Sequence, residues 1–218
     1  MYQELVDLSR MLNLFLENFV LIFVAIDPIS LLPIFASFTQ GLNKKDLITL
    51  CLRSSLTAFG ILLVFWLFGS ALLQIMGINI NSFRIVGGMF VMVIAYQMVF
   101  DQRQKRREET VEEAMDDEEL SSLATFPLAI PLIAGPGAIT LAMLLSEKSG
   151  SSIEFQIIGF SPIVIVLVLT AISMWASGKI AKRLPVSVLG ALQRTFGLLL
   201  GALAIEFVIE GLRQTFNI

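Results

Sequence analysis

The sequence predicts an all-α, polytopic membrane protein with six transmembrane helices. Of its 218 residues, 56% are hydrophobic and only 15% are charged, whereas a soluble globular chain has roughly 25% charged residues. Charge-free runs such as residues 54–83 and 155–178 exceed the roughly 20 apolar residues that a membrane-spanning helix needs. They also lack the alternation of apolar and polar residues that is typical of barrel strands. A membrane helix bundle is therefore the expected fold class.

The composition also excludes several kinds of site. The chain has no His and a single cysteine, Cys51, so we expect no metal site, no His proton relay and no internal disulfide. The net charge of −3 gives no basic surface for a nucleic acid. We therefore expect no cofactor and no nucleic-acid partner.

Each predicted helix follows from a run with few charges. Asp27 is the only charge between residues 18 and 43, and Arg194 is the only one between residues 184 and 205. The four runs between these two contain no Asp, Glu, Lys or Arg; they are 54–83, 85–100, 120–146 and 155–178. The six predicted helices, in chain order, are 13–38, 47–75, 83–100, 122–146, 156–177 and 188–211.

A charged linker, residues 101–121, separates two halves of three helices each, residues 1–100 and 122–218. Four basic residues and then a run of acidic ones predict a solvated, partly helical or disordered segment. With six spans, eleven of the 15 Lys and Arg residues lie on the linker side and four on the side of the termini. Positive charge is retained in the cytoplasm, so both termini are expected outside.

The two halves carry related patterns. Pro28 in VAIDPISLLPIF corresponds to Pro136 in PLAIPLIAGPGAIT with an offset of 108, and Arg84 corresponds to Arg194 with an offset of 110. The equal spacing of two proline pairs also allows an offset of 103. Because each half contains three spans, related halves would be inverted in the membrane. The sequence therefore predicts two inverted three-helix repeats.

Proline and glycine inside helices 1 and 4 predict that both helices are broken. In a membrane the freed backbone groups need partners or a wet cavity, and paired broken helices in inverted repeats are a pointer to a transporter's central site. Simple kinks that aid packing are the alternative. The candidate substrate- or ion-binding residues are Asp27, Pro28, Ser30, Pro33, Gln97, Pro131, Gly135, Pro136, Gly137, Thr140 and Glu206.

Several charged residues within or next to the predicted helices have two interpretations. Asp27 binds a substrate amino group, a proton or Na⁺, or it caps the second half of its helix. Glu206 is a second coupling carboxylate or pairs with an arginine inside the bundle. Arg84 and Arg194 are gating residues or snorkelling anchors. Four glycines are expected to permit close helix packing: Gly87, Gly88, Gly197 and Gly201.

Four segments of the chain resemble one family of membrane proteins. DPISLLPIF, FRIVGG, PLAIPLIAGPGAIT and RTFGLLLGALAIEFVIEGL are similar to the corresponding segments of the MarC family of bacterial and archaeal membrane proteins. That family is similar in topology to the LysE-type amino-acid exporters, and some of its members are described as transporters of small neutral amino acids such as glycine and alanine.

The resemblance implies a secondary transporter of small neutral amino acids or related solutes in a prokaryotic inner membrane. Such a protein would work by alternating access at a midplane site, with H⁺ or Na⁺ as the coupling ion. Its partners would be the lipid bilayer and the solute, and a homo-oligomer is compatible with this expectation. The alternatives are a passive channel and a non-transporting membrane sensor or partner protein. An enzyme is not expected, because the sequence has no His and no nucleophile motif.

Overall fold

The computed structural model describes residues 2–39, 41–115, 123–150, 152–180 and 185–217, and these ranges are helical with no strand. The all-α class is therefore confirmed. The described ranges contain nine helical elements, of which the sixth, labelled α6, is irregular. They are α1 (Tyr2–Ile26), α2 (Leu32–Thr39), α3 (Lys44–Ile75), α4 (Ile80–Val99), α5 (Gln102–Met115), α6 (Ala124–Ile133), α7 (Pro136–Ser149), α8 (Ile153–Ile180) and α9 (Val186–Phe216).

Five of the described helices are long and apolar enough to cross a membrane. They lie within α1, α3, α4, α8 and α9, and a sixth candidate arises if α6 and α7, which are bent by 60° at their junction, count as one span. The prediction of several membrane-spanning helices is confirmed, with five or six candidates in the described part of the chain. Most predicted boundaries lie within about five residues of the observed ones.

The first helix differs most from its prediction. α1 begins at Tyr2 rather than near residue 13, ends at Ile26, and is followed by the short α2. Hydropathy marks only the apolar part of a helix. A charged segment outside the membrane can also be helical, so α1 begins before the predicted start. Asn43 then caps α3 by accepting a hydrogen bond of 2.9 Å from the Asp46 N–H, which explains why that helix begins before its apolar run.

Two prolines make α6 irregular. Phe126 and Ile130, which precede Pro127 and Pro131, have extended backbone angles and cis peptide bonds to those prolines. A residue before proline is disfavoured in the α-helical region, so the regular ladder fails at both places. The segment ends with a hydrogen bond of 2.8 Å from the Ala134 N–H to the Ala129 carbonyl. The predicted helix 122–146 is consequently two segments of different direction.

α4 and α9 pack against each other in antiparallel fashion along their length. A Cβ added at Gly88 would lie 2.7 Å from the carbonyl oxygen of Ala204, and one at Gly197 would lie 3.0 Å from the carbonyl oxygen of Ala95. Gly201 lies at ordinary contact distance from Ala95. Three of the four expected packing glycines therefore lie between these two helices.

The remaining helices form the other layers of the bundle. α1 and α2 pack on α8, α6 and α7 pack on α3, and α3 contacts α8. α7 also contacts α1 and α4, where a Cβ at Gly87 would lie 2.8 Å from Cγ2 of Thr140. The buried core includes Phe35 of α2 and Leu141 of α7, so both short helices lie inside the bundle. Large apolar side chains cover the outer faces of the long helices, as expected for a surface in lipid.

Ion pairs mark the two ends of the bundle. At the end near the termini, Arg84 pairs with Glu147, and Lys148 pairs with Glu17. These contacts join the end of α7 to α4 and α1. At the opposite end, Arg194 of α9 pairs with Asp101, which precedes α5. These pairs therefore connect α1, α4 and the connection between α4 and α5 with α7 and α9.

We expect Gly88→Ala to destabilise the protein, because its new Cβ meets a backbone carbonyl that can move only if the helices separate. Overpacking of this kind costs about 1–3 kcal/mol, measured as a lower unfolding temperature in detergent. Gly60→Ala on α3 is the matched control, because a Cβ there has no neighbour within 4 Å outside its own helix and alanine favours the helix. Equal unfolding temperatures for the two variants would contradict the close contact.

Candidate functional site

A cavity of about 480 Å³ lies where α4, α5 and the junction of α6 with α7 meet. Five of the residues predicted for the site line it: Gln97, Pro131, Gly135, Pro136 and Gly137. Ala25, near the end of α1, also contributes to the wall. The end of α1 and the junction of α6 with α7 thus line one cavity, together with the polar side chain of Gln97 from α4.

The wall from α5 is basic. Arg103, Arg106, Arg107 and Thr110 line the cavity. Arg103 and Arg107 are only 9% and 7% exposed. The expectation of a solvated linker is therefore wrong for these two residues; the linker's last residues, 116–121, lie outside the described part of the chain. The arginines are four apart and so share one face of α5, which is the signal that the sequence contained.

The two buried arginines bind the end of α1. Arg103 donates to the carbonyl oxygens of Val24, at 3.4 Å, and of Ala25, while Nη2 of Arg107 donates to the carbonyl oxygen of Ile26 at 3.1 Å. The last carbonyls of a helix have no partner within it. Here the guanidinium groups supply those partners, so α5 acts as the cap of α1.

Asp27 ends α1 and caps the turn that follows it. Its φ is +56°, the left-handed conformation with which helices commonly end. Oδ1 accepts a hydrogen bond of 3.3 Å from the Ser30 N–H, and Oδ2 lies 3.8 Å from Nη1 of Arg107. The side chain is buried and does not line the cavity. This geometry fits the capping interpretation and gives Asp27 a second role as a counter-ion.

Burial changes the acid–base properties of the cavity arginines. Loss of hydration on burial, the largest effect, and repulsion from Arg103 lower the pKa of Arg107, and attraction to Asp27 raises it; together these effects bring it to about 9. Burial likewise lowers the pKa of Arg103, against an opposing effect of Asp27. With a pKa of about 9, Arg107 is protonated at neutral pH, so it contributes a positive charge to the α5 wall of the cavity.

α7 begins at the opposite wall. Gly135 precedes the helix and Pro136 occupies its first position, without a side chain that caps the N-terminus. The N–H groups of Gly137 and Ala138 therefore have no acceptor inside the helix. Close contacts explain both glycines, since a Cβ at Gly135 would lie 2.6 Å from the Pro131 carbonyl oxygen and one at Gly137 would overlap Ile94.

The other predicted residues lie elsewhere. Pro28 and Ser30 are buried in the turn after Asp27, and Glu206 is exposed on α9. None of Pro33, Thr140, Arg84 and Arg194 lines the cavity. Their predicted roles stay predictions. No three acidic or Cys side chains in the described ranges converge on a point where a metal ion would bind.

We expect Arg103→Gln to destabilise the protein by about 1–3 kcal/mol, because buried carbonyls of α1 would lose their donors. Arg106→Gln on the same helix is the control, since Arg106 is exposed. Thermal unfolding of both variants in the same detergent measures the difference. A normal unfolding temperature for Arg103→Gln would show that water replaces the guanidinium at no cost.

Comparison with known proteins identifies the family. The chain is 33% identical over 214 residues to UPF0056 membrane protein MJ0972 of Methanocaldococcus jannaschii. The aligned region covers 98% of this chain and 93% of that protein. It is 30% identical over 209 residues to UPF0056 membrane protein YhcE of Escherichia coli, covering 93% of each chain. It is 28% identical over 208 residues to UPF0056 membrane protein YvbG of Bacillus subtilis, covering 95% of this chain and 98% of that protein.

No solved structure shows significant similarity to the chain. Its relatives occur in both bacteria and archaea, and their names state no substrate. The family model for MarC family integral membrane proteins matches residues 12–216, which is nearly the whole chain and includes every residue that lines the cavity. The protein therefore belongs to the MarC family of multi-pass integral membrane proteins.

Proposed function

We propose that this protein is a secondary transporter of small neutral amino acids, glycine- or alanine-like, or of related small solutes. The observation that carries the proposal is the cavity between the end of α1 and the start of α7. Its volume of about 480 Å³ is within the range of about 300–1,000 Å³ that is usual for ligand sites. The cavity combines uncapped backbone, Gln97 and basic side chains, which suits a small polar solute.

Alternating access requires two halves that move against each other, and the packing supports two inverted repeats, 1–100 and 122–218, joined by the linker 101–121. In this scheme α1 and α2 correspond to α6 and α7, α3 corresponds to α8, and α4 corresponds to α9. The contact of α1 and α2 with α8 then has its counterpart in the contact of α6 and α7 with α3. Taken as one unit, α6 and α7 contact α4 through α7, and α1 and α2 contact α9 through α1, so the two pairs of units correspond although the contacting segments differ. The two broken helices predicted from the sequence, 13–38 and 122–146, are equivalent elements in this scheme.

The ion pairs between the halves suit a gating role. The pair of Arg84 and Glu147 joins the halves at the end near the termini, and the pair of Arg194 and Asp101 joins the second half to the first residue of the linker at the end near α5. Rocking of one repeat against the other would break first one pair and then the other. This fits the predicted gating role of Arg84 and Arg194. By the distribution of positive charge, the α5 end is cytoplasmic and both termini are outside a prokaryotic cell membrane. H⁺ or Na⁺ would be the coupling ion, with no cofactor.

The experiment is counterflow of labelled glycine or alanine in proteoliposomes, with and without H⁺ and Na⁺ gradients. Val93→Trp should reduce exchange several-fold, because Val93 lines the cavity and the larger ring would fill it. Val86→Trp is the matched control: Val86 lies seven residues earlier on the same face of α4, is 46% exposed against 51% for Val93, and does not line the cavity.

Saturable exchange that Val93→Trp impairs and Val86→Trp preserves would support the proposal. Flux without counterflow would instead indicate a passive channel. Absence of exchange for every neutral amino acid, in protein that unfolds cooperatively at the normal temperature, would overturn the substrate assignment.

A further inference from the structure

We infer that the cavity recognises the carboxylate group of its solute, which binds between the first N–H groups of α7 and the guanidinium of Arg107. The inference rests on the proposed function, because it assigns the chemical class of the solute at the same site. It also gives Asp27 a different role from that of a ligand: Asp27 is the counter-ion that holds Arg107 while the site is empty.

The first support is the N-terminus of α7, a helix of 14 residues. The N–H groups of Gly137 and Ala138 have no intrahelical acceptor, and both residues line the cavity. The aligned peptide dipoles place about half a positive charge at this end of the helix. Backbone N–H groups with such a dipole form a binding site for anions, and Gly135 and Pro136 supply no side chain that would occupy it.

The second and independent support is the side chain of Arg107. It is less than one-tenth exposed, and it lines the same cavity from the α5 side. Its Nη2 donates to the Ile26 carbonyl, but Nη1 makes no hydrogen bond within the described part of the chain. Oδ2 of Asp27, 3.8 Å away, is likewise without a hydrogen bond. A buried guanidinium nitrogen without a hydrogen bond is costly, and a solute carboxylate that replaces Asp27 as the partner of Arg107 would relieve that cost.

The charge of the lining favours a carboxylate over an amino group as the main point of recognition. The described residues that line the cavity include three arginines and no acidic side chain. Among these described residues, a solute ammonium group would find uncharged acceptors, such as the amide oxygen of Gln97 and backbone carbonyls. A carboxylate would find a guanidinium and two N–H groups, which are charge-assisted donors of the strong kind.

The test compares four probes on the purified full-length protein at matched ionic strength: alanine, propionate, alaninamide and chloride. Propionate lacks the amino group of alanine, and alaninamide lacks its carboxylate. The rise of the unfolding temperature with probe concentration gives an apparent affinity, because a ligand that binds only the folded state stabilises it. Alanine and propionate should bind at least about tenfold more tightly than alaninamide, the factor that one charge-assisted hydrogen bond provides.

Two variants then distinguish a binding role of Arg107 from a structural one. Arg107→Gln should weaken propionate binding by about tenfold to a hundredfold, whereas Arg107→Lys should keep the preference for propionate over alaninamide. Asp27→Asn should maintain or strengthen propionate binding, since it removes the competing counter-ion and an asparagine side chain still accepts from the Ser30 N–H. Loss of a merely structural ion pair would change binding in the same direction in Arg107→Gln and Asp27→Asn.

The outcomes separate this inference from the proposed function. Propionate binding without counterflow of any amino acid would support the carboxylate site and overturn the transport proposal. Counterflow of alanine that alaninamide inhibits as strongly as propionate does would support transport and overturn the carboxylate site. Equal stabilisation by chloride and propionate, or equal loss of propionate binding in Arg107→Gln and Asp27→Asn, would also overturn it.

Discussion

The structure depends on how the chain satisfies backbone groups where its helices are interrupted. In a bilayer no water is available to replace a lost intrahelical hydrogen bond, so each interruption needs its own solution. At the end of α1 the carbonyls of Val24, Ala25 and Ile26 receive the guanidinium groups of Arg103 and Arg107. At the start of α7 the residues with free N–H groups, Gly137 and Ala138, instead line a cavity. The protein fills one interruption with its own side chains and leaves the other accessible.

This difference explains why the most charged segment of the chain is also part of its interior. Only two residues separate the end of α4 from the start of α5, and this short connection returns the chain toward the bundle. Two faces of α5 then have different environments: Arg103 and Arg107 are buried against α1, whereas Lys105 and Arg106 are exposed. Removing guanidinium groups from water is unfavourable, but here the carbonyls of α1 and the carboxylate of Asp27 replace part of the lost hydration.

The fold was largely predictable because hydropathy and helix length are sufficient to locate spans in a membrane. The prolines and glycines of α6 and α7 likewise identified part of the cavity wall, since the backbone itself carries that signal. The roles of Arg103 and Arg107 were not predictable from charge alone, because a charged run is usually solvated and only tertiary contacts show which face is buried. Glu206 is the opposite case: its isolation among apolar residues indicated a buried site, but the direction of its side chain depends on the rotation of α9 against α4, which the packing glycines determine.

Under the proposed function, the arrangement of the cavity would give solute binding a mechanical consequence. Arg107 is attached to the end of α1 and, through α5, to α4, so it belongs to the first three membrane helices. The N–H groups of Gly137 and Ala138 belong to α7 and hence to the last three. A carboxylate held by both would bridge the two halves and would bind best in the conformation that brings them together. A ligand shifts a conformational equilibrium only by its difference in affinity for the two states, and under the proposed alternating access a site divided between the two halves would provide such a difference.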